Sequence, residues 1–203
     1  MRNDTSRKLF NYWNNLRGNR QAPDRREIEP SDIRDILGDT FILEIDPVYN
    51  TISFRLAGTR LCNAYGRELK GVGFLAIWDE LDNLGIQRTV QKAFSSSTPC
   101  VVSYSSSTES GRIQECEMLL LPLLNGSQNA SRILGTASPL VKASWLGTEP
   151  FVNNKLNRVR WISLPEPKDG PSIAPDHLAE SLETQNPVRK FRHLTIIKGG
   201  MDD

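Results

Sequence analysis

The sequence predicts an α+β fold built on an antiparallel sheet, and three observations carry that prediction. Two apolar runs, TFILEID at 40–46 and TISFRLA at 51–57, flank a turn over Pro47 to Asn50 and read as a β-hairpin. Helical spacing follows over residues 79–94, where Ile86, Val90 and Phe94 recur every fourth position with Leu81 and Ala93 alongside. Three more strand candidates come next, at 100–105 (CVVSYS), 112–124 and 131–141. A hairpin, then helices, then a three-stranded meander give a five-stranded antiparallel sheet with helices on one side.

The N-terminal element is an amphipathic helix over residues 5–17. Leu9, Tyr12, Trp13 and Leu16 fall on one face, Thr5 or Ser6 can cap its start, and Gly18 can end it. That face has two readings: it packs on the sheet of its own domain, or it pairs with a second copy of the chain. Residues 17–35 carry five arginines against five acids, which reads as a solvated, salt-bridged surface rather than a phosphate site. Pro30, Ser31 and Asp32 open a short second helix from Ile33 to Leu37, closed by Gly38.

Within the hairpin's second strand, Ile52, Phe54 and Leu56 alternate with Ser53 and Arg55, the period of a half-buried strand. The chain then runs through FRLAGTRLCNAYGRELKG, from Phe54 to Gly71. Gly58 is expected to take positive φ or a close backbone approach, and Gly66 to make a second turn. Leu61, Cys62 and Tyr65 cluster between them at helical spacing. Asp79 is the expected N-cap of the long helix. On the fourth strand, Cys116, Met118 and Leu120 share one face, and Glu115, Glu117 and Leu119 the other.

The crossover resembles a PAS sensor domain, and more narrowly a bacterial PAS family in which the domain is nearly the whole protein. Leu16, Arg17, Gly18 and Arg20 of LRGNR fit that family's pattern, while Asn19 stands where a second glycine is common. EIEPSDI, RLAGTRLC followed by GREL and a glycine, and the LLLPL and ILG strands extend the likeness over roughly residues 6–145. The resemblance implies a ligand- or partner-sensing module rather than an enzyme, acting with a signalling protein such as a histidine kinase. It also implies pairing through the N-terminal helix, hence a homodimer.

The expected organisation is a helical extension over 1–38, the PAS-like domain over 39–145, and a C-terminal extension over 146–203. Residues 165–187 hold five of the 12 prolines and read as a linker, with FRHLTII at 191–197 as a last strand candidate. The formal net charge of +1 supplies no global field to recruit nucleic acid or an anionic membrane. No run of 18 apolar residues predicts a transmembrane helix, and the first residues lack the apolar core of a secretory signal. Three unevenly spaced cysteines, Cys62, Cys100 and Cys116, suit a reducing cytoplasm better than a disulfide framework.

Chemistry-bearing constellations are sparse. The two histidines, His177 and His193, lie in the tail, and no CxxC, HxxxH or HExxH spacing occurs, so no metal site is expected. No histidine in the helix over 79–94 offers a haem ligand, and LCNAYGREL does not match the reactive-cysteine motif of flavin photosensors, so no cofactor is expected. A nucleophile elbow and phosphate-binding glycine loops are likewise missing. Glu115 and Glu117 read as a solvated pair. Phe54, Leu56, Cys62, Tyr65, Trp78, Phe94 and Cys116 line a tentative ligand pocket, or simply fill a core. Arg55, Arg60 and Arg67 offer contacts to an anion, or Arg60 or Arg67 pins the loop through Glu68. A small enzyme with a cone-shaped α+β barrel and a structural dimerisation module remain the alternative readings.

Overall fold

The hairpin forms at the predicted residues. In the computed structural model, which describes residues 1–46, 48–126 and 130–165, β1 spans Thr40–Asp46 and β2 spans Thr51–Ala57, paired antiparallel. The meander follows as β3 (Cys100–Ser107), β4 (Ile113–Leu124) and β5 (Ala130–Pro139). A sixth strand, β6 (Asn153–Trp161), then pairs with β3 from Asn153 to Trp161. The sheet is therefore six-stranded, ordered β2-β1-β5-β4-β3-β6 and antiparallel at every pairing. The expected count of five fell short because NNKLNRVRW alternates polar with apolar residues only weakly and carries three cations.

The sheet buries both faces. The inner face meets α2 (Thr59–Ala64), a 3-10 turn at Phe74–Ile77 and α3 (Asn83–Ser96) around Phe41, Phe54, Phe74, Trp78, Val90 and Met118. The outer face carries Val101, Leu119, Leu121, Leu123 and Leu134, and α1 (Asp4–Arg17) covers it. Leu9 and Trp13 are fully buried there, and Trp13 Nε1 donates to the Pro122 carbonyl at 2.8 Å. The apolar face offered for pairing with a second copy is thus occupied by the chain's own sheet, while Tyr12 and Leu16 are half-buried at its margin.

Several boundaries differ from expectation for local reasons. Asn3, rather than Thr5 or Ser6, caps α1, its side chain accepting from Thr5 N at 2.8 Å. Residues 30–39 form two 3-10 turns, Pro30–Ile33 and Leu37–Asp39, because only Ile33 and Ile36 have a core to enter. The N-cap of α3 is Asp82. Asp79 instead accepts from Leu81 N at 3.0 Å and from Asn153 Nδ2 at 3.0 Å, so it ties the helix approach to β6. Gly58 has an ordinary φ of −71°, and its role is the close approach: an added Cβ would lie 2.2 Å from the Leu37 carbonyl oxygen. Gly66 takes the left-handed turn, with φ of 62°. The linker read over 165–187 and the strand candidate at 191–197 lie, from residue 166 onward, outside the described residues.

Candidate functional site

A cavity of about 340 Å3 opens between α2, the inner face of the sheet and the segment that connects β5 to β6. The short helix α2 starts where Gly58 N donates to Thr40 O at 2.7 Å, which presses it against the start of β1. It thereby points Leu61 and Ala64 at the sheet, with Tyr65 just beyond its last turn. The sheet contributes Tyr104 from β3, Cys116 from β4 and Ala137 from β5; Tyr104 and Cys116 are cross-strand partners. The connecting segment closes the third side with Leu146 and Phe151. Phe151 N donates to Ala64 O at 2.8 Å, and its ring meets Tyr65 edge-on at 5.8 Å between centroids.

Behind Tyr65, which lines the cavity, runs a buried polar relay. Ser106 Oγ donates to Asn154 Oδ1 at 2.8 Å, and Asn154 Nδ2 donates to Tyr65 Oη at 2.6 Å. Ser106 and Asn154 are both fully buried, so this pairing offsets a desolvation cost that would otherwise reach several kcal/mol, about 1–3 for each orphaned group. Burial raises the Tyr65 and Tyr104 phenols well above their ordinary range, and pushes the Cys116 thiol up to about 11. Burial also pushes Cys100 up to about 12 and raises Cys62. Burial thus favours the protonated form of each thiol. Trp78 Nε1 is buried with no partner among the described residues, and the Trp78 and Tyr104 ring centroids lie 5.2 Å apart.

The expected pocket residues divide. Tyr65 and Cys116 line the cavity. Phe54, Trp78 and Phe94 fill the adjoining core, Cys62 is half-buried on α2, and Leu56 is 51 % exposed on β2. Tyr104, Leu61, Phe151 and the relay partners Ser106 and Asn154 were not anticipated. Tyr104 was legible from its alternation with Val102 on β3, whereas Phe151 and Asn154 lie in a stretch with no recognisable period.

The arginines are mostly spent on ion pairs. Arg60, at the cavity rim, binds Asp39 Oδ2 through Nε at 3.0 Å and through a terminal nitrogen at 2.8 Å, and also reaches the Asp35 carbonyl. It pins the loop, as expected, but through Asp39 rather than Glu68. Glu68 accepts instead from Lys70 N at 3.0 Å and from the Cys62 thiol. Arg55 pairs with Glu44 at 3.2 Å, and Arg67 lines a separate shallow hollow beside Pro150. On β4, Glu115 is exposed, but Glu117 is only 2 % exposed. Its carboxylate accepts from Arg2 N at 2.8 Å and Asn3 N at 3.1 Å, so it anchors the start of α1 and is not a solvated side chain. Among the described residues no cluster of three His, Cys, Asp or Glu side chains could hold a metal ion, and no helix is long and apolar enough to cross a membrane.

No curated protein matches the chain. Among solved structures, it resembles an RNA-binding light-oxygen-voltage receptor at 17 % identity and a TM-score of 0.38, over 52 % of this chain and 31 % of that one. It resembles a light-oxygen-voltage domain studied with a flavin analogue at 15 % identity and 0.42, over 58 % and 87 %. A sensory box histidine kinase/response regulator from Burkholderia thailandensis E264 follows at 12 % and 0.37, over 55 % and 84 %. The sequence itself matches a family described as PAS domain over residues 1–138, and the match takes in the outer helix, the hairpin, the glycine crossover and the meander described above. The chain belongs to the PAS domain family.

Proposed function

We propose that this chain is a non-enzymatic PAS sensory protein that takes a small molecule into the cavity beside Tyr65 and Cys116 and hands the signal to a partner protein. The observation that carries this reading is the cavity itself, about 340 Å3 with an apolar wall and a neutral polar floor. A space of that size and lining suits a small ligand, since pockets that hold one run from about 300 Å3 upward. Tyr65 and Cys116 are the contacts carried over from the sequence, with Arg60 at the rim. Phe54, Trp78 and Phe94 support the wall from behind.

Binding is favoured over catalysis by the state of the floor. The titratable groups there are two phenols and a thiol held protonated at neutral pH, and a general acid or base works best with a pKa near the working pH. The partner, a signalling protein such as a histidine kinase, rests on the family resemblance. Three unpaired thiols suit a reducing cytoplasm. Native mass spectrometry of the purified full chain tests the reading, because it reports bound small molecules and oligomeric state together. A co-purifying mass that disappears when Ala137→Phe fills the cavity is the expected result. An apo mass that never shifts with any member of a metabolite library sinks the ligand claim.

A further inference from the structure

Charge is distributed unevenly over this chain, and the excess sits at one edge of the sheet. β6 carries Lys155, Arg158 and Arg160, α3 carries Arg88 and Lys92, and neither element holds an Asp or Glu. The whole chain balances 25 Lys and Arg against 24 Asp and Glu, so this is a local cationic surplus. The two elements touch: a Cβ on Gly85 would lie 3.6 Å from Leu156 Cδ2, and Lys92 Nζ lies 4.5 Å from the centroid of the Trp161 ring. Arg88 falls between those contacts, three residues after Gly85 on the same stripe of the helix. All five cationic side chains are exposed, and none joins an ion pair among the described residues. Asp79 and Asp82 flank the Lys155 end, where they bond Asn153 and Leu156 N; Arg158 to Trp161 lies past them.

The same stretch has free backbone groups. β6 is the last strand in the sheet order. Ile162 N donates to Pro99 O at 2.9 Å, which sets the phase of the β3–β6 ladder. Arg158 and Arg160 therefore pair with Ser103 and Val101, while Val159 and Trp161 turn their N–H and C=O groups away from β3. Earlier on the strand such outward groups are occupied: Asn154 O accepts from Asp79 N, and Leu156 N donates to Asp82 Oδ2. Among the described residues nothing occupies those of Val159 and Trp161.

Cations stand on both sides of this open edge. Val159 and Trp161 pack toward the inner core and α3, so Arg158 and Arg160 project from the outer face. A strand added here points alternate side chains to the two faces, one set past Arg158 and Arg160, the other past Arg88 and Lys92. Like charge repels a second copy of β6, and the same charge attracts an acidic strand. Nucleic acid would meet the cations but has no main-chain groups to continue the ladder. We propose that the edge from Arg158 to Trp161 binds an acidic, extended segment of a partner protein, which joins the sheet as a further strand. The proposal rests on the reading above in taking the signal to pass to a protein, and it does not need the cavity to be filled. β6 lies beyond the residues matched to the family, so this surface belongs to the segment that follows the match.

The test uses the full chain labelled with nitrogen-15 and four probes: the capped peptide VEETEEV, its charge-reversed form VKKTKKV, VEETEEV methylated at every main-chain nitrogen, and an oligouridylate of matching length. VEETEEV should shift the amides of Val159 and Trp161, and bind about tenfold more tightly than either control peptide. Arg158→Glu combined with Arg160→Glu should weaken it by about tenfold, with an unchanged melt because both side chains are exposed and unpaired. Arg88→Gln combined with Lys92→Gln is the second variant, on the other side of the edge, and should weaken it by about threefold. No shift at the two β6 amides, equal binding by either control peptide, a margin unmoved in both variants, or tightest binding by the oligouridylate would each overturn the proposal. The cavity reading is decided separately: the amides of Leu146 and Phe151 report a filled cavity, and shifts confined to them on adding VEETEEV would also overturn the edge assignment. A chain that purifies with an empty cavity leaves the edge result standing.

Discussion

Gly58→Ala is the sharpest test of how the crossover is built. Gly58 sits at φ −71° and ψ 157°, a conformation that alanine adopts freely, so backbone strain contributes nothing. What alanine cannot do is fit. Its Cβ would lie 2.2 Å from the Leu37 carbonyl oxygen, 2.4 Å from that of Gly38 and 2.5 Å from the Gly38 carbonyl carbon. All three are backbone atoms, so no side chain can swing aside. Relief requires the start of α2 to move by about 1 Å against the Leu37–Asp39 turn, which weakens the 2.7 Å bond from Gly58 N to Thr40 O. Overpacking of this kind costs about 1–3 kcal/mol, occasionally more. At about 2–4 °C per kcal/mol for a domain of this size, the melting midpoint should fall by about 2–12 °C. Gly73→Ala is the control: its φ is −60° and an added Cβ meets nothing within 4 Å, so its melt should match or slightly exceed the wild type. Coincident melts for Gly58→Ala and the wild type would refute the close-approach argument.

Other perturbations follow from the same geometry. Trp13→Ala should cost about 3–5 kcal/mol in urea denaturation, because it empties a fully buried site and orphans the Pro122 carbonyl; an unchanged midpoint would mean that α1 does not pack on the sheet. Glu117→Gln keeps one acceptor for the two amides of Arg2 and Asn3 and should lose about 1–3 kcal/mol. Hydrogen exchange should then speed up in the first turn of α1 and not in β6. Stability should also fall in alkali. Cys116 is an acid whose folded pKa, about 11, lies above its ordinary value of 9.0, so the folded form keeps the proton longer; its contribution is intact below pH 9 and is lost as pH rises through 11. Tyr65, Tyr104 and Cys100 act in the same direction. Urea midpoints at pH 8 and pH 11 measure the decline, which Cys116→Ala should make shallower.

The parts that were legible in the sequence are those where local chemistry and global packing agree. The hairpin boundaries followed from alternation in TISFRLA and the near-continuous apolar run of TFILEID, because each strand has one neighbour turn and a buried face to obey. Glu117 was misread for the opposite reason: its place on β4 is that of an outward side chain, and only the arrival of residues 2 and 3, more than a hundred positions away, buries it. Asp39 as the partner of Arg60 was equally invisible, since Glu68 is nearer in sequence and only the fold brings residues 21 apart together. The apolar face of α1 was seen correctly, but a face does not state what covers it, and here the sheet's second apolar side does. β6 and the segment before it left the least trace. Phe151 and Asn154 act through single long-range contacts, which have no period in the sequence.

Those same residues join the cavity to the rest of the molecule. Asn154 lies opposite Ser106 in the β3–β6 register, donates to Tyr65 at the cavity floor, and gives its own carbonyl to Asp79 N at 2.8 Å. Its neighbour Asn153 donates to Asp79 Oδ2 at 3.0 Å, and Leu156 N donates to Asp82 Oδ2 at 2.7 Å, just ahead of α3. A continuous set of hydrogen bonds therefore runs from the Tyr65 hydroxyl through the start of β6 to the approach of α3. Any movement of Asn154 must be shared by the sheet edge, because the same residue's backbone is paired on both sides. The edge strand thus ties the Tyr65 side of the cavity to the approach of α3.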